Sequence, residues 1–160
     1  MSRMGQTSEV TEELRAAFKD SMIEVKAPRE RRIFMRIKKV AFQETVKRLI
    51  NDFGFRHLST ITGVDLGDQV EVIYHFAREG AIELSVGVAL PKNTLSISTV
   101  SGLMPAASVY EREVHEFLGV SFEGNPNLSP LVLPEGWPKN VYPLRKERTF
   151  EELRQIGATK

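Results

Sequence analysis

One short charged stretch, Glu111 to Glu116, contains the residue types of this chain that could do chemistry. Glu111 and His115 are four positions apart, so on a helix they would project from one face, where a carboxylate and an imidazole could bind a metal ion. Together with Glu116 they would form the centre of a soluble metal-dependent enzyme. A catalytic zinc site needs three protein ligands, however, and neither His57 nor His75 has ligand spacing to this pair. The spacing therefore favours a charged helix face, with the metal enzyme as the alternative.

The same helix face has a simpler interpretation. Arg112 and Glu116 are also four positions apart and would form an ion pair on a solvated or partner-facing side of the helix. The chain has no cysteine, and therefore no thiol nucleophile, disulfide or thiolate-bound cluster of its own. It also lacks the glycine-rich phosphate loops and the Gly-x-Ser-x-Gly elbow that carry common catalytic sites. We expect no catalytic residue, no bound cofactor and no metal in this chain.

The bulk composition excludes further classes of protein. The chain has 160 residues, the size of one domain, and its 22 lysines and arginines nearly balance 21 acidic residues. A net charge of +1 argues against a nucleic-acid-binding protein. The N-terminus lacks the apolar core of a signal peptide, and no stretch approaches the ~18 apolar residues of a membrane span. We therefore expect a soluble protein that reaches a membrane only through a partner.

The pattern of apolar residues predicts the elements that position the charged helix. In chain order these are a helix from Ser8, strands at Met22–Lys26 and Arg32–Ile37, a helix over Val40–Phe53 with Val40 in its apolar stripe, a return strand or loop within Phe55–Asp65, a hairpin of Val70–Phe76 and Ala81–Leu90, a short strand within Thr94–Thr99, the helix Pro105–Leu118, and a last helix opened by a capping box at Thr149–Glu152. This order predicts an α+β domain, with a small, mostly antiparallel or mixed sheet, helices on one face and an extended proline-rich C-terminal arm. We expect residues 1–8 to be a flexible tail, 9–122 the α+β domain, and 123–160 a docking arm ending in a short helix.

The C-terminal arm (residues 123–160) has an unusual composition. Residues 125–143 hold five of the eight prolines and the only tryptophan, Trp137. Proline fixes φ and removes a backbone donor, so this stretch can hardly build regular structure of its own. Its many leucines and valines are too apolar for a disordered linker. The arm is therefore expected to pack against its own domain or against another subunit, and its aromatic and apolar side chains favour an interaction subunit.

The stretch from Tyr110 to Lys146 closely resembles the signature of the 30 kDa subunit of respiratory complex I, the NADH-quinone oxidoreductase. The matching residues are Glu111-Arg112-Glu113, Glu116, Phe117, Gly119, Phe122, Gly124, Pro126, Leu128, Trp137 and Pro143-Leu144-Arg145-Lys146. Upstream, His57-Leu58 and Val72 to Phe76 look like the strands of that family. Asn125 stands where the family usually has histidine, and the usual Asp-Tyr-Pro after Lys146 is missing. These departures resemble the complex-I-related membrane-bound hydrogenases and their archaeal and bacterial relatives.

The resemblance implies a role without catalysis by this chain. Members of the family are α+β, carry no redox centre, and pack beside a large subunit resembling the nickel–iron hydrogenases and a small subunit with iron–sulfur clusters. They belong to the hydrophilic domain of a membrane-bound, ion-translocating oxidoreductase at the cytoplasmic face of the cell membrane. The resemblance and the arm's composition together predict a partner interface at Glu111, Arg112, Glu113, Glu116, Asn125, Pro126, Leu128, Trp137, Tyr142, Pro143, Leu144, Arg145 and Lys146.

Overall fold

A five-stranded mixed sheet forms the centre of the computed structural model, which describes residues 3–158. The strands are β1 (Met22–Arg29), β2 (Arg32–Ile37), β3 (His57–Asp65), β4 (Gln69–Arg78) and β5 (Ile82–Pro91), in the spatial order β1-β2-β5-β4-β3. β2 and β5 run parallel, and the other neighbours pair antiparallel. The sheet is therefore the hairpin β1-β2 joined through one parallel contact to the antiparallel meander β3-β4-β5.

One face of the sheet is dry because alternate residues of the central strands are apolar. In β4 and β5, Val72 lies opposite Val88 and Tyr74 opposite Val86, and none of the four is exposed. Two helices, α1 (Arg3–Ala17) and α2 (Phe42–Asn51), contribute Leu14, Val46 and Leu49 to the same core. The rings of Phe42 and Tyr74 lie 4.7 Å apart. This core fixes the sheet on which the C-terminal half of the chain is assembled.

A third helix, α3 (Ala107–Leu118), packs on β3 at one end of the same face. Gly63 of β3 makes this close approach possible, because a methyl group at this position would overlap Leu118 Cδ1 and lie 3.2 Å from Val114 Cγ1. The opposite face of the sheet is polar: Arg36 Nε donates to Glu71 Oε1 over 2.7 Å. All three helices therefore lie on one face, as expected for this α+β domain.

The chain leaves the domain through a short parallel pair, β6 (Ser96–Ser98) and β7 (Ser121–Glu123). Residues 124–149, which we call the arm loop, contain no helix or strand and lead to α4 (Phe150–Ala158). The predicted capping box opens α4, since Thr149 Oγ1 accepts from the N–H of Glu152 and the Glu152 carboxylate accepts from the N–H of Thr149. The arm loop therefore needs hydrogen-bond partners other than a strand or helix.

The predicted fold class is confirmed, and three local expectations need correction. The first helix begins at Arg3 instead of Ser8, so residues 3–7 of the expected tail are helical, and residues 1 and 2 lie outside the described range. Val40 does not join the apolar stripe: it lies in a single 3₁₀ turn before α2 and is 94% exposed. Pro28, which lies between the strands expected at Met22–Lys26 and Arg32–Ile37, belongs to the edge strand β1, where a missing backbone donor is tolerated.

Gly63→Ala should destabilise the contact between β3 and α3. The added methyl group would displace the buried Leu118, so we expect a loss of about 1–3 kcal/mol in the free energy of unfolding, measured by urea denaturation. Gly102→Ala is the matched control, because a methyl group there meets no atom within 4 Å. Equal stability of the two variants would show that the close contact of α3 with β3 does not require glycine at position 63.

Candidate functional site

Glu116 on α3 holds the middle of the arm loop. Its carboxylate accepts three consecutive backbone N–H groups, from Leu131 at 3.1 Å, Val132 at 2.9 Å and Leu133 at 2.8 Å. The residue itself is only 8% exposed. Hydrogen bonds to an ionised acceptor are stronger than neutral ones, so one buried carboxylate satisfies three amides that have no strand to pair with.

Arg112, one turn earlier on α3, binds the neighbouring carbonyl groups. Its Nε donates to the carbonyl oxygen of Ser129 over 3.0 Å, and Nη2 donates to that of Pro130 over 2.8 Å. The expected ion pair between Arg112 and Glu116 is therefore not formed. Instead the cation binds carbonyl oxygens and the anion binds amides of one continuous stretch of backbone.

Glu111 lies inside the chain, where sequence analysis placed it in a partner interface. It is fully buried, and its oxygens accept from Thr99 Oγ1 at 2.5 Å, the N–H of Val100 at 3.0 Å and Asn125 Nδ2 at 2.7 Å. Burial raises the pKa of this carboxyl group, and the bonds from Thr99, Val100 and Asn125 oppose that rise. Glu111 therefore ties the start of the arm loop to α3 and to the loop after β6, and a partner cannot reach it in this conformation.

The C-terminal end of the arm loop caps the C-terminus of α3. The N–H of Leu144 donates to the carbonyl oxygen of Phe117 over 3.1 Å, and Arg145 Nε donates to that of Leu118 over 2.8 Å. These carbonyl groups belong to the last turn of the helix and have no partner within it. A cation at this position also suits the negative end of the helix dipole.

Gly119 leaves the space that this capping contact needs. It ends α3 with φ of +77°, a left-handed conformation that glycine adopts without strain. The Tyr142 ring and the Arg145 guanidinium pass directly over it, at 2.6 Å and 2.7 Å from where a Cβ atom would lie. Arg145 in turn stacks on Tyr142, with its guanidinium carbon 4.6 Å from the ring centroid. Glycine is thus required at this position for two reasons, the positive φ and the lack of space for a Cβ atom.

Asp65, at the end of β3, fixes the last residues of the arm loop. Its carboxylate accepts from Lys92 Nζ at 2.9 Å, the N–H of Lys146 at 2.9 Å and the N–H of Gly67 at 2.8 Å. Burial disfavours ionisation of Asp65, but the bonds from Lys92, Lys146 and Gly67 outweigh it and lower its pKa from 3.8 to about 2. Glu147 joins the same cluster through Lys92, at 2.9 Å. The loop is therefore attached to the sheet as well as to α3.

Between these attachments, α3 and the arm loop enclose a groove of about 430 Å³. The groove is lined by His115, Glu116, Leu128, Pro130, Leu133, Trp137, Pro138, Lys139, Asn140, Val141 and Tyr142. The indole N–H of Trp137 donates to the carbonyl oxygen of Val141 over 2.8 Å, which sets the orientation of the ring. The groove wall is therefore mostly apolar and aromatic.

Four large apolar side chains of the C-terminal arm are exposed. Leu131 is 40% exposed, Val132 59%, Leu144 60% and Phe150 81%. Large apolar side chains grouped on one segment mark interaction surfaces more often than scattered single ones do. Arg112 and Glu116 of α3 thus bond the arm loop, while these four apolar side chains of the arm stay accessible to a partner.

The predicted interface residues divide into three sets. Side-chain hydrogen bonds within the chain are formed by Glu111, Arg112, Glu116, Asn125 and Arg145. The exposed residues are Glu113, Pro126, Leu144 and Lys146. The half-buried residues are Leu128, Trp137, Tyr142 and Pro143. Sequence analysis missed Asp65 and Lys92, since it placed Asp65 only at the end of an expected strand or loop. No local signal could have paired two residues 27 positions apart.

The alternative of a metal-dependent enzyme finds no support in this geometry. The oxygens of Glu111 and Glu116 are engaged by donors of the chain, and His115 Nδ1 lies 2.8 Å from the carbonyl oxygen of Val120. Within residues 3–158, no group of three or more histidine, cysteine, aspartate or glutamate side chains is placed to hold a metal ion. The same residues include no helix long and apolar enough to cross a membrane.

Comparison with known proteins points to one family. Residues 35–153 match the family described as the respiratory-chain NADH dehydrogenase 30 kDa subunit. The chain is 31% identical to a subunit of the F(420)H(2) dehydrogenase of Methanosarcina mazei over 141 residues, 86% of this chain and 89% of the relative. It is 26% identical to the membrane-bound hydrogenase subunit beta of Pyrococcus furiosus over 150 residues, 90% of this chain and 87% of the relative.

A solved structure resembles the fold over nearly its whole length. It is a chain of the membrane-bound sulfane sulfur reductase, described as an archaeal respiratory membrane complex. The TM-score is 0.79 at 26% identity, covering 97% of this chain and 92% of the other.

Glu116→Gln should loosen the middle of the arm loop. The amide nitrogen of glutamine is a donor and would face a backbone N–H, so at least one of the three amides loses its acceptor. We expect amide hydrogen exchange at Leu131 to Leu133 to accelerate about tenfold to a hundredfold, the equivalent of ~1–3 kcal/mol. Glu113→Gln, an exposed position on the same helix, is the control; unchanged exchange in both variants would contradict the role of Glu116.

Because of Asp65, we expect the free energy of unfolding to fall at low pH. Its folded pKa lies below its unfolded value, so its contribution is complete above about pH 4 and is lost as the pH falls towards about 2. The stability difference between the wild type and Asp65→Asn, from urea denaturation, should shrink over this range. Asp68→Asn, an exposed neighbour, is the control. A wild-type advantage that is constant between pH 5 and pH 2 would disprove the ionic role of Asp65.

Proposed function

Because this chain belongs to the family of the respiratory-chain NADH dehydrogenase 30 kDa subunit, we propose that it is a non-catalytic subunit of a membrane-bound, ion-translocating oxidoreductase. The observation that carries the proposal is the C-terminal arm. Internal polar bonds hold the arm loop in place, while Leu131, Val132, Leu144 and Phe150 face outward. An ordered loop with exposed large apolar side chains is suited to bind another protein.

Family relatives take part in different reactions. The names of the similar proteins refer to F(420)H(2) dehydrogenase, membrane-bound hydrogenase and sulfane sulfur reductase. A subunit shared by complexes with such different substrates does not itself determine the substrate. This supports a structural role, in which the chain holds catalytic subunits together.

The partners of the proposed role are the redox subunits of the same complex. We infer that they are a large subunit resembling the nickel–iron hydrogenases and a small subunit with iron–sulfur clusters. The chain has no cysteine, so thiolate-bound clusters must be held by partners. In this role the chain lies at the cytoplasmic face of the membrane and touches the membrane only through other subunits.

Co-purification from native membranes tests the proposal. A tagged full-length chain should bring down, after mild detergent extraction, one large subunit with the cysteine pairs of a nickel site or their remnant and one small iron–sulfur subunit. Mass spectrometry identifies both and gives their ratio. Recovery of the tagged chain alone would refute the assembly role.

Leu144→Asp should weaken assembly without unfolding the chain. The side chain is 60% exposed, whereas the backbone N–H that bonds Phe117 is kept, so the isolated variant should melt with the wild type. A carboxylate in an apolar interface should lower the co-purified partner yield at least ~10-fold. Ile23→Asp, at a residue that is 59% exposed on β1, is the matched control. Equal losses for both variants would contradict docking through the arm.

A further inference from the structure

The groove between α3 and the arm loop has room for one large side chain. Its volume of about 430 Å³ falls within the ~300–1,000 Å³ typical of small-ligand sites. Trp137 and Tyr142 supply aromatic surface, and Leu128, Leu133 and Pro138 supply aliphatic surface. Aromatic rings pack well against such walls in offset or edge-to-face arrangements.

His115 lines the groove and can supply it with a polar acceptor. Its Nδ1 lies 2.8 Å from the carbonyl oxygen of Val120, and because a carbonyl group only accepts, Nδ1 carries the proton. In the neutral imidazole, Nε2 is then a bare acceptor, and it has no hydrogen-bond partner within residues 3–158. The groove therefore suits an apolar body with a single donor.

The charges around the groove select among possible donors. Lys139 lines the groove and Arg145 stacks on Tyr142, so a cationic occupant would be repelled. Glu116 also lines the groove, but its oxygens already accept three backbone N–H groups. A carboxylate occupant has no proton to donate to His115 Nε2. Among side chains with an apolar body, a neutral donor remains in tryptophan and tyrosine.

We propose that this groove binds one tryptophan or tyrosine side chain of a neighbouring subunit, whose N–H or O–H donates to His115 Nε2. The proposal rests on the proposed function, since it names the contact through which the C-terminal arm holds a partner. Leu133 of the groove directly follows the exposed Leu131 and Val132 in the chain. Deeply inserted aromatic anchors of this kind dominate the binding energy of many interfaces.

The only tryptophan of the chain lines the groove and reports on its occupancy. Incorporation of 5-fluorotryptophan into the full-length chain gives a single ¹⁹F resonance, from position 137. N-acetyltryptophanamide should shift this resonance at millimolar concentration through its ring current, and N-acetylleucinamide should not. The same response to both probes, or to neither, would overturn the proposal without involving any partner.

Two variants test the groove in the assembled complex. Val141→Phe keeps the carbonyl group that binds Trp137 and fills the groove, so its affinity for the complex lacking this subunit should fall at least ~10-fold. His115→Asn keeps a donor for Val120 and removes the free acceptor, so affinity should fall about fivefold to tenfold. Val40→Phe, at a residue that is 94% exposed and distant in sequence, is the matched control and should bind like the wild type.

The readouts separate this proposal from the proposed function. If the labelled chain assembles but its ¹⁹F resonance does not move, and Val141→Phe binds normally, the groove is empty in the complex and the inference is wrong, while the subunit role stands. If the wild-type chain does not assemble at all, the proposed function fails and the inference fails with it. Equal melting temperatures of the variants and the wild type exclude a folding defect as the cause of weak binding.

Discussion

The conformation of the arm loop depends on one carboxylate that binds three consecutive backbone amides. Residues 124–149 form no helix or strand, and prolines remove several of their donors. A buried amide without an acceptor costs about 1–3 kcal/mol, so such a loop is stable only where another element supplies the acceptors. Glu116 supplies them, and Arg112 supplies donors to the adjacent carbonyl groups. The charged side chains of α3 thus replace the backbone hydrogen bonds that a neighbouring strand would provide.

This use of charge explains why polar and apolar residues of the C-terminal half lie where they do. Glu111, Glu116 and Asp65 are all buried, yet each is surrounded by hydrogen-bond donors of the chain itself. The three carboxylates therefore serve the chain itself, whereas large apolar side chains of the arm such as Val132 and Leu144 are exposed. A loop that is already ordered loses less conformational entropy when a partner binds it than a disordered segment does.

The fold and the site differ in how far the sequence predicts them. Alternation in Ile82 to Leu90 and the capping box at Thr149 depend on neighbours within a few positions, and both were predicted correctly. Whether a charged residue faces solvent, a partner or its own chain is decided by contacts distant in sequence. Glu116 binds a loop 15 to 17 positions away, and Lys146 binds Asp65 across 81 positions. Helical spacing alone therefore suggested an ion pair that the structure replaces with bonds to backbone.

The residues that hold the arm loop differ from those that its surface exposes, and this difference helps to explain how one fold can belong to several complexes. The residues that hold the arm loop, among them Glu111, Glu116 and Gly119, make no use of the exposed side chains of Val132 or Leu144. Substitutions on the outer surface leave the internal bonds unchanged, so the surface can be adapted to a new partner at little cost in stability. Substitutions among the inner residues remove several bonds at once. A family whose members belong to complexes with different substrates is consistent with this division, because each complex can alter the contact surface while the attachment of the arm to α3 and to β3 stays the same.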